Sequence, residues 1–170
     1  MRNIPTIAML AICSAFAAHA YAAAPAKPGE NPDATFVQQA GQGGMAEVQL
    51  SKLAEKSGST PAVRQFASKM VHDHGANNKE LLTIAAHENI SPPKDLDSDH
   101  AALRDKLAAM HGAEFDRTYL DAMRSDHQKM DELLKSSQAT VSTEELRTFI
   151  KKTTPVVEAH LRMAQDLKTE

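Results

Sequence analysis

Four segments of this chain repeat apolar residues at the spacing of a single helical face, and each interrupts that face with a polar residue near its middle. The first carries Phe36, Ala40, Gly43, Leu50 and Ala54, with Glu47 in step. The second carries Val63, Phe66, Met70, Leu81 and Ala85, with His74 in step. Asp116, Tyr119, Met123, Met130 and Leu134 mark the third, with His127 in step. Leu146, Ile150, Val157, Ala164 and Leu167 mark the fourth, with His160 in step. Helices of this kind bury their stripes by packing side by side, so one carboxylate and three imidazoles are predicted to meet inside a bundle. Groups of that kind cost several kcal/mol to bury unless they pair, hydrogen-bond or hold a metal.

The punctuation of the chain fits the same fold. The first helix is predicted from Asp33 to about Ser57-Gly58, with Gly43-Gly44 marking a close approach by a neighbour. Ser59-Thr60-Pro61 is a cap followed by proline in the first turn, opening a helix that ends near Asn89, before Pro92-Pro93. The third long helix runs from Gly112 to about Gln138, and Ser142-Thr143-Glu144-Glu145 opens the fourth, in which Pro155 predicts a kink. Residues 90–111 form the one long connection, with a short helix expected over Asp97–Met110. About thirteen helical residues rise ~20 Å, enough to return along the bundle and set the third helix parallel to the second. The fold class is therefore all-α: a ferritin-like four-helix bundle over residues 33–168, with a crossover carrying a short helix. A weak repeat aligns Met70-Val71-His72-Asp73-His74 with Met123-Arg124-Ser125-Asp126-His127.

The first 22 residues read as a signal peptide: Met1-Arg2, an apolar stretch from Ile4 to Ala18, and Ala20-Tyr21-Ala22 before the cleavage point. A lipoprotein signal on Cys13 is the rival, but Ile12 stands where a small residue belongs. Residues 23–32, rich in Ala, Pro and Gly, read as a flexible leader. The expected location is the periplasm or the outside of the cell, with no integral membrane segment after cleavage. Cys13 is the only cysteine, so the exported chain has no thiolate for zinc or for nucleophilic chemistry. The net charge is −3 and no cluster of Lys and Arg interleaves with aromatics, which excludes nucleic acid as the main partner. Oligomeric state and partner identity are not written in the sequence.

The stretches Phe36–Ala54, Phe66–Leu81, Gly112–His127 and Pro155–Leu161 carry a resemblance to the DUF4142 family, an exported domain of unknown function. The resemblance implies a ferritin-like fold and an exported location, and supplies no reaction. Glu47, Asp73, His74, Asp116, Tyr119, His127 and His160 are the positions that match the family pattern.

The chemistry of the polar layer has two readings. A carboxylate-bridged iron pair needs Glu-x-x-His on two helices, and Val71, Arg124 and Val157 stand where those glutamates belong. A single transition-metal ion (Zn, Cu, Fe or Mn) held by Glu47, His74, Asp116, His127 and His160 fits the donor types, with Asp73 and Tyr119 orienting the ligands. Met70, Met123, Met130 and Met163 lie three or four residues from the same histidines, a pattern that suits copper and equally suits core filling. The other reading is a metal-free network in which Glu47 and Asp116 pair with the imidazoles and fix helix register. No nucleophile elbow supports a Ser-His-Asp triad and no phosphate loop of recognised spacing appears; the leading reading is a non-enzymatic exported bundle acting in envelope stress or binding, of unknown ligand. The alternative is metal binding or metal-dependent redox chemistry.

Overall fold

A computed structural model describes residues 31–167. The segments read as signal peptide and leader lie outside that range, except that Asn31 and Pro32 prove to be the cap and first residue of the first helix. Five helices follow: α1 (Pro32–Ser57), α2 (Pro61–His87), α3 (Ser98–Ala108), α4 (Gly112–Ser137) and α5 (Glu144–Asp166). The architecture is the expected all-helical bundle with a helix-bearing crossover.

Caps explain most of the boundaries. The side chains of Asn31, Thr60, Asp97 and Thr143 each accept a backbone N–H in the first turn of their helix. Asn89, with φ 56°, closes α2: its N–H reaches Ala86 O, and the Ile90 N–H reaches Ala85 O at 2.8 Å. Gly112 adopts φ +63°, a left-handed turn that feeds the crossover into α4. α5 continues through Pro155 to Asp166.

The core divides into two apolar clusters. One holds Phe36, Ala40, Leu81, Leu134, Phe149 and Val157. The other holds Leu50, Phe66, Met70, Tyr119, Met123 and Ala164. Along every long helix, the polar residue lies between the two sets: Glu47 between Ala40 and Leu50, His74 between Met70 and Leu81, His127 between Met123 and Leu134, His160 between Val157 and Ala164. α1 and α5 run from the first cluster to the second, whereas α2 and α4 run the opposite way. The crossover thus makes α4 parallel to α2, as its length predicted. It is fastened to α1 by Gln38, whose side chain donates to Ser91 O, and by Gln42 Nε2, which donates to Asp95 O at 3.0 Å. Gly41 lets Pro93 close on α1; a Cβ there would lie 2.9 Å from Pro93 Cδ.

The two hairpins, α1–α2 and α4–α5, repeat each other at a constant separation of 83 residues. Asp33-Ala34-Thr35-Phe36-Val37 matches Asp116-Arg117-Thr118-Tyr119-Leu120, and Ser59-Thr60…Val63-Arg64…Phe66 matches Ser142-Thr143…Leu146-Arg147…Phe149. Contacts repeat with the residues. Asp33 receives the N–H and hydroxyl of Ser142, and Asp116 receives those of Ser59. Arg64 Nη1 donates to Gly58 O at 2.6 Å, and Arg147 Nη1 to Val141 O at 2.8 Å. Phe36 meets Phe149 edge-on at 6.2 Å, and Phe66 meets Tyr119 at 6.2 Å. The repeat expected between residues 70–74 and 123–127 gives way to this one. It paired α2 with α4 on a shared Met/His phase, whereas the contacts pair α1 with α4 and α2 with α5.

Candidate metal centre

Glu47, His74, His127 and His160 converge at the middle of the bundle, exposed by 0%, 3%, 0% and 1%. His74 Nε2 lies 3.3 Å from His127 Nε2 and 3.1 Å from His160 Nδ1. Each of the three rings offers one nitrogen to a common centre, and these nitrogens all lie within 4.8 Å of one another.

The opposite edge of each ring is also held. His127 Nδ1 donates to Met123 O at 2.8 Å, one turn back on its own helix. His160 Nε2 meets Asp73 Oδ2 at 2.8 Å. His74 Nδ1 lies 2.9 Å from Glu47 Oε2, and Glu47 Oε1 lies 3.2 Å from His127 Nδ1. Glu47 acts on both rings as a charge, and at 2.9 Å its Oε2 is also the acceptor nearest His74 Nδ1.

Electrostatics follow from that placement. Burial pushes the Glu47 carboxyl up, but the three imidazoles pull it down further, to about 2. Burial pushes His74 down, and Glu47 with Asp73 outweighs it, so His74 is raised. His160 falls to about 4, through burial and then the neighbouring His74, against the pull of Asp73.

The other expected members stand elsewhere. Asp116 is buried, yet it accepts from Ser59 N at 2.8 Å, Ser59 Oγ at 2.5 Å and Thr60 N at 3.3 Å, tying α4 to the α1–α2 turn. It shares the phase of His127 on α4 but lies three turns away, ~16 Å along the axis. Tyr119 exchanges a hydrogen bond with Ser51 at 2.8 Å instead of touching the layer. Asp73 pairs with Lys69 at 2.8 Å and also meets the His160 ring at 2.8 Å. Glu47 is in the layer, but behind His74 and His127 rather than facing the centre with their inner nitrogens. Met70 and Met123 pack in one apolar cluster and Met130 in the other, as core filling. Sequence reasoning missed Ser51 and the Met123 carbonyl; a backbone acceptor has no signal in residue identity.

The internal repeat shows that the cluster has a counterpart. Shifted by the repeat, Glu47, His74, His127 and His160 become Met130, Val157, Gly44 and Asn77. These four line a cavity of ≈ 20 Å³ beside His74, the room of one water molecule. Thr153 Oγ1 and Asn77 Nδ2, both among its lining residues, have no protein partner. Of the two equivalent halves, one carries imidazoles and the other does not.

This fold and core define the class: a ferritin-like helical bundle with a buried histidine cluster. The chain belongs to the DUF4142 family, a domain of unknown function whose family model matches residues 18–167. It is similar to the crystal structure of a DUF305 fragment from Deinococcus radiodurans, with a TM-score of 0.70 and 15% identity over 83% of this chain and 95% of that one. At that identity the likeness speaks to the fold alone. No curated protein matches the chain. Among the described residues no helix is long and apolar enough to cross a membrane.

Proposed function

We propose that the cluster binds a single transition-metal ion, and that the protein is an exported, non-enzymatic metal-binding bundle. The observation that carries this reading is the set of acceptors around the rings. Each outer ring nitrogen faces a group that only accepts: a carboxylate for His74 and His160, a backbone carbonyl for His127. Each outer nitrogen therefore keeps its proton, and a neutral imidazole then presents a lone pair at its inner nitrogen. Three lone pairs aimed at one another at 3.1 and 3.3 Å repel until a cation enters. Nitrogens bound at ~2.0–2.1 Å around a tetrahedral ion lie about 3.3 Å apart; His74 stands at about that spacing from each of the other two, and all three lie within 4.8 Å. Orientation of each ligand by a carboxylate or carbonyl on its far nitrogen is the usual support of a histidine metal site. Three imidazoles without thiolate suit Zn²⁺, Cu²⁺, Fe²⁺ or Mn²⁺.

A second reading has a proton as that cation. The raised pKa of His74 beside Glu47 favours it. His74 as imidazolium would share its Nε2–H between His127 and His160, and the layer would serve as a register device without a ligand. Elemental analysis of the purified protein, with titration calorimetry of the chelated form, separates the two. The metal reading expects one ion per chain, lost in His127→Leu. No retained ion and no heat with any of the four metals would leave the proton reading standing.

A further inference from the structure

Resting on the metal reading, we infer that His72, Asp73 and Lys69 on α2 form the port through which the ion reaches the buried histidines. The cluster itself is closed: none of its three histidines is more than 3% exposed. Its partners Glu47 and Met123 are fully buried. Among the described residues, Asp73 is the one hydrogen-bonded partner of the cluster that reaches solvent, with its side chain 21% exposed.

Asp73 Oδ2 holds His160 Nε2 at 2.8 Å, and Asp73 Oδ1 meets His72 Nδ1 at 2.8 Å. The His72 side chain is 84% exposed. An imidazole at the surface and a carboxylate one step inward therefore lead to the ring that closes the cluster. His160 spans the remaining gap: its Nε2 faces Asp73 and its Nδ1 faces His74. A turn of that one ring carries an ion from the Asp73 side to the centre. The helix explains the arrangement. Successive residues point about 100° apart, so His72, Asp73 and His74 step from solvent through the boundary to the core.

Lys69 acts against passage. Its ammonium lies 2.8 Å from Asp73 Oδ2, the same oxygen that meets His160. An incoming cation must displace that charge, so Lys69 serves as a latch. The two surface groups thus have opposite effects on one process, and neither touches the inner nitrogens.

Stopped-flow mixing of the metal-free protein with Co²⁺, read by cobalt absorption, and release into a chelator test the port. His72→Ala is expected to slow loading and release together, by about tenfold, as loss of a guiding group does. Lys69→Gln is expected to speed both. The dissociation constant stays within about threefold of the native value in each, because a port changes rates in both directions alike. Loading at the native rate in both variants overturns the port while leaving the metal site intact. Weaker affinity with unchanged loading in His72→Ala also overturns it, since that marks a ligand-orienting role. A native protein that takes up no Co²⁺, by equilibrium dialysis, overturns the metal reading and the port with it.

Discussion

Glu47 stands behind two rings, with no exposed surface and with the Nδ1 atoms of His74 and His127 at 2.9 and 3.2 Å. Removing it leaves the buried His74 Nδ1 without a partner, while His127 Nδ1 keeps Met123 O. Glu47→Leu is therefore expected to cost about 3–5 kcal/mol, the range for breaking one partner out of a buried charge pair, read as a lower midpoint in urea unfolding. Asp116 is the contrasting residue. It holds a turn together through three hydrogen bonds and does not meet the histidines. Asp116→Ala is expected to cost about 1–3 kcal/mol and to leave metal affinity unchanged. Asp33 makes the equivalent contact with Ser142, so Asp33→Ala should cost a similar amount; a cost confined to one of the two would count against the hairpin repeat. Periodicity found Glu47, His74, His127 and His160 because burial follows helical phase, and phase can be read along a single segment. It grouped Asp116 with them for the same reason. Height along the bundle depends on loop geometry and on which helices run parallel, and the stripe of a single helix holds neither.

At the scale of the elements, α3 is secured by charge as well as by Leu107, which is buried. His100 lies 3.5 Å from Asp126 on α4 and 2.5 Å from its own cap Asp97. Asp126, then Asp97, raise it from 6.5 to about 9 against the opposing effect of burial. A raised histidine contributes its stability in full below the unfolded value and loses it as pH climbs through the folded one. The contribution from α3 is thus complete below about pH 6.5 and gone above about pH 9. Thermal melts should show His100→Gln destabilised at pH 6 and equal to the native protein at pH 10. The glycines make a second comparison. A Cβ at Gly75, inside α2, would stand in open space, whereas one at Gly41 would meet Pro93 at 2.9 Å. Gly75→Ala is expected to add about 0.5–1 kcal/mol through helix propensity. Gly41→Ala should lose that gain to the displaced crossover, a difference visible in paired urea titrations. Helix ends were legible from Ser59-Thr60-Pro61 and Gly112 because caps are local. The hairpin repeat is faint in the helical stripes because its clearest signal, Asp-x-Thr-(Phe/Tyr) followed by Ser-Thr-x-x-(Val/Leu)-Arg, lies at helix ends rather than beside the histidines.

The described residues form two copies of a helical hairpin, joined by the α3 crossover and packed to give two equivalent central positions. One position holds Glu47 and three imidazoles; the other holds Gly44, Asn77, Met130 and Val157 around a small cavity. A carboxylate-bridged metal pair draws its ligands from both halves, and the second position offers Asn77 and Met130 in place of carboxylates and imidazoles. Binding to the folded chain alone also predicts a global effect. An ion at 100 times its dissociation constant adds ~2.7 kcal/mol to unfolding, so the melting temperature should rise with Zn²⁺ in the native protein and stay fixed in His74→Ala. Whether three inner nitrogens share one cation can be seen outright by anomalous diffraction from crystals grown with Zn²⁺. A single strong peak is expected ~2.0–2.1 Å from His74 Nε2, His127 Nε2 and His160 Nδ1. Peaks confined to surface residues, with the three rings still touching one another, would contradict the metal reading.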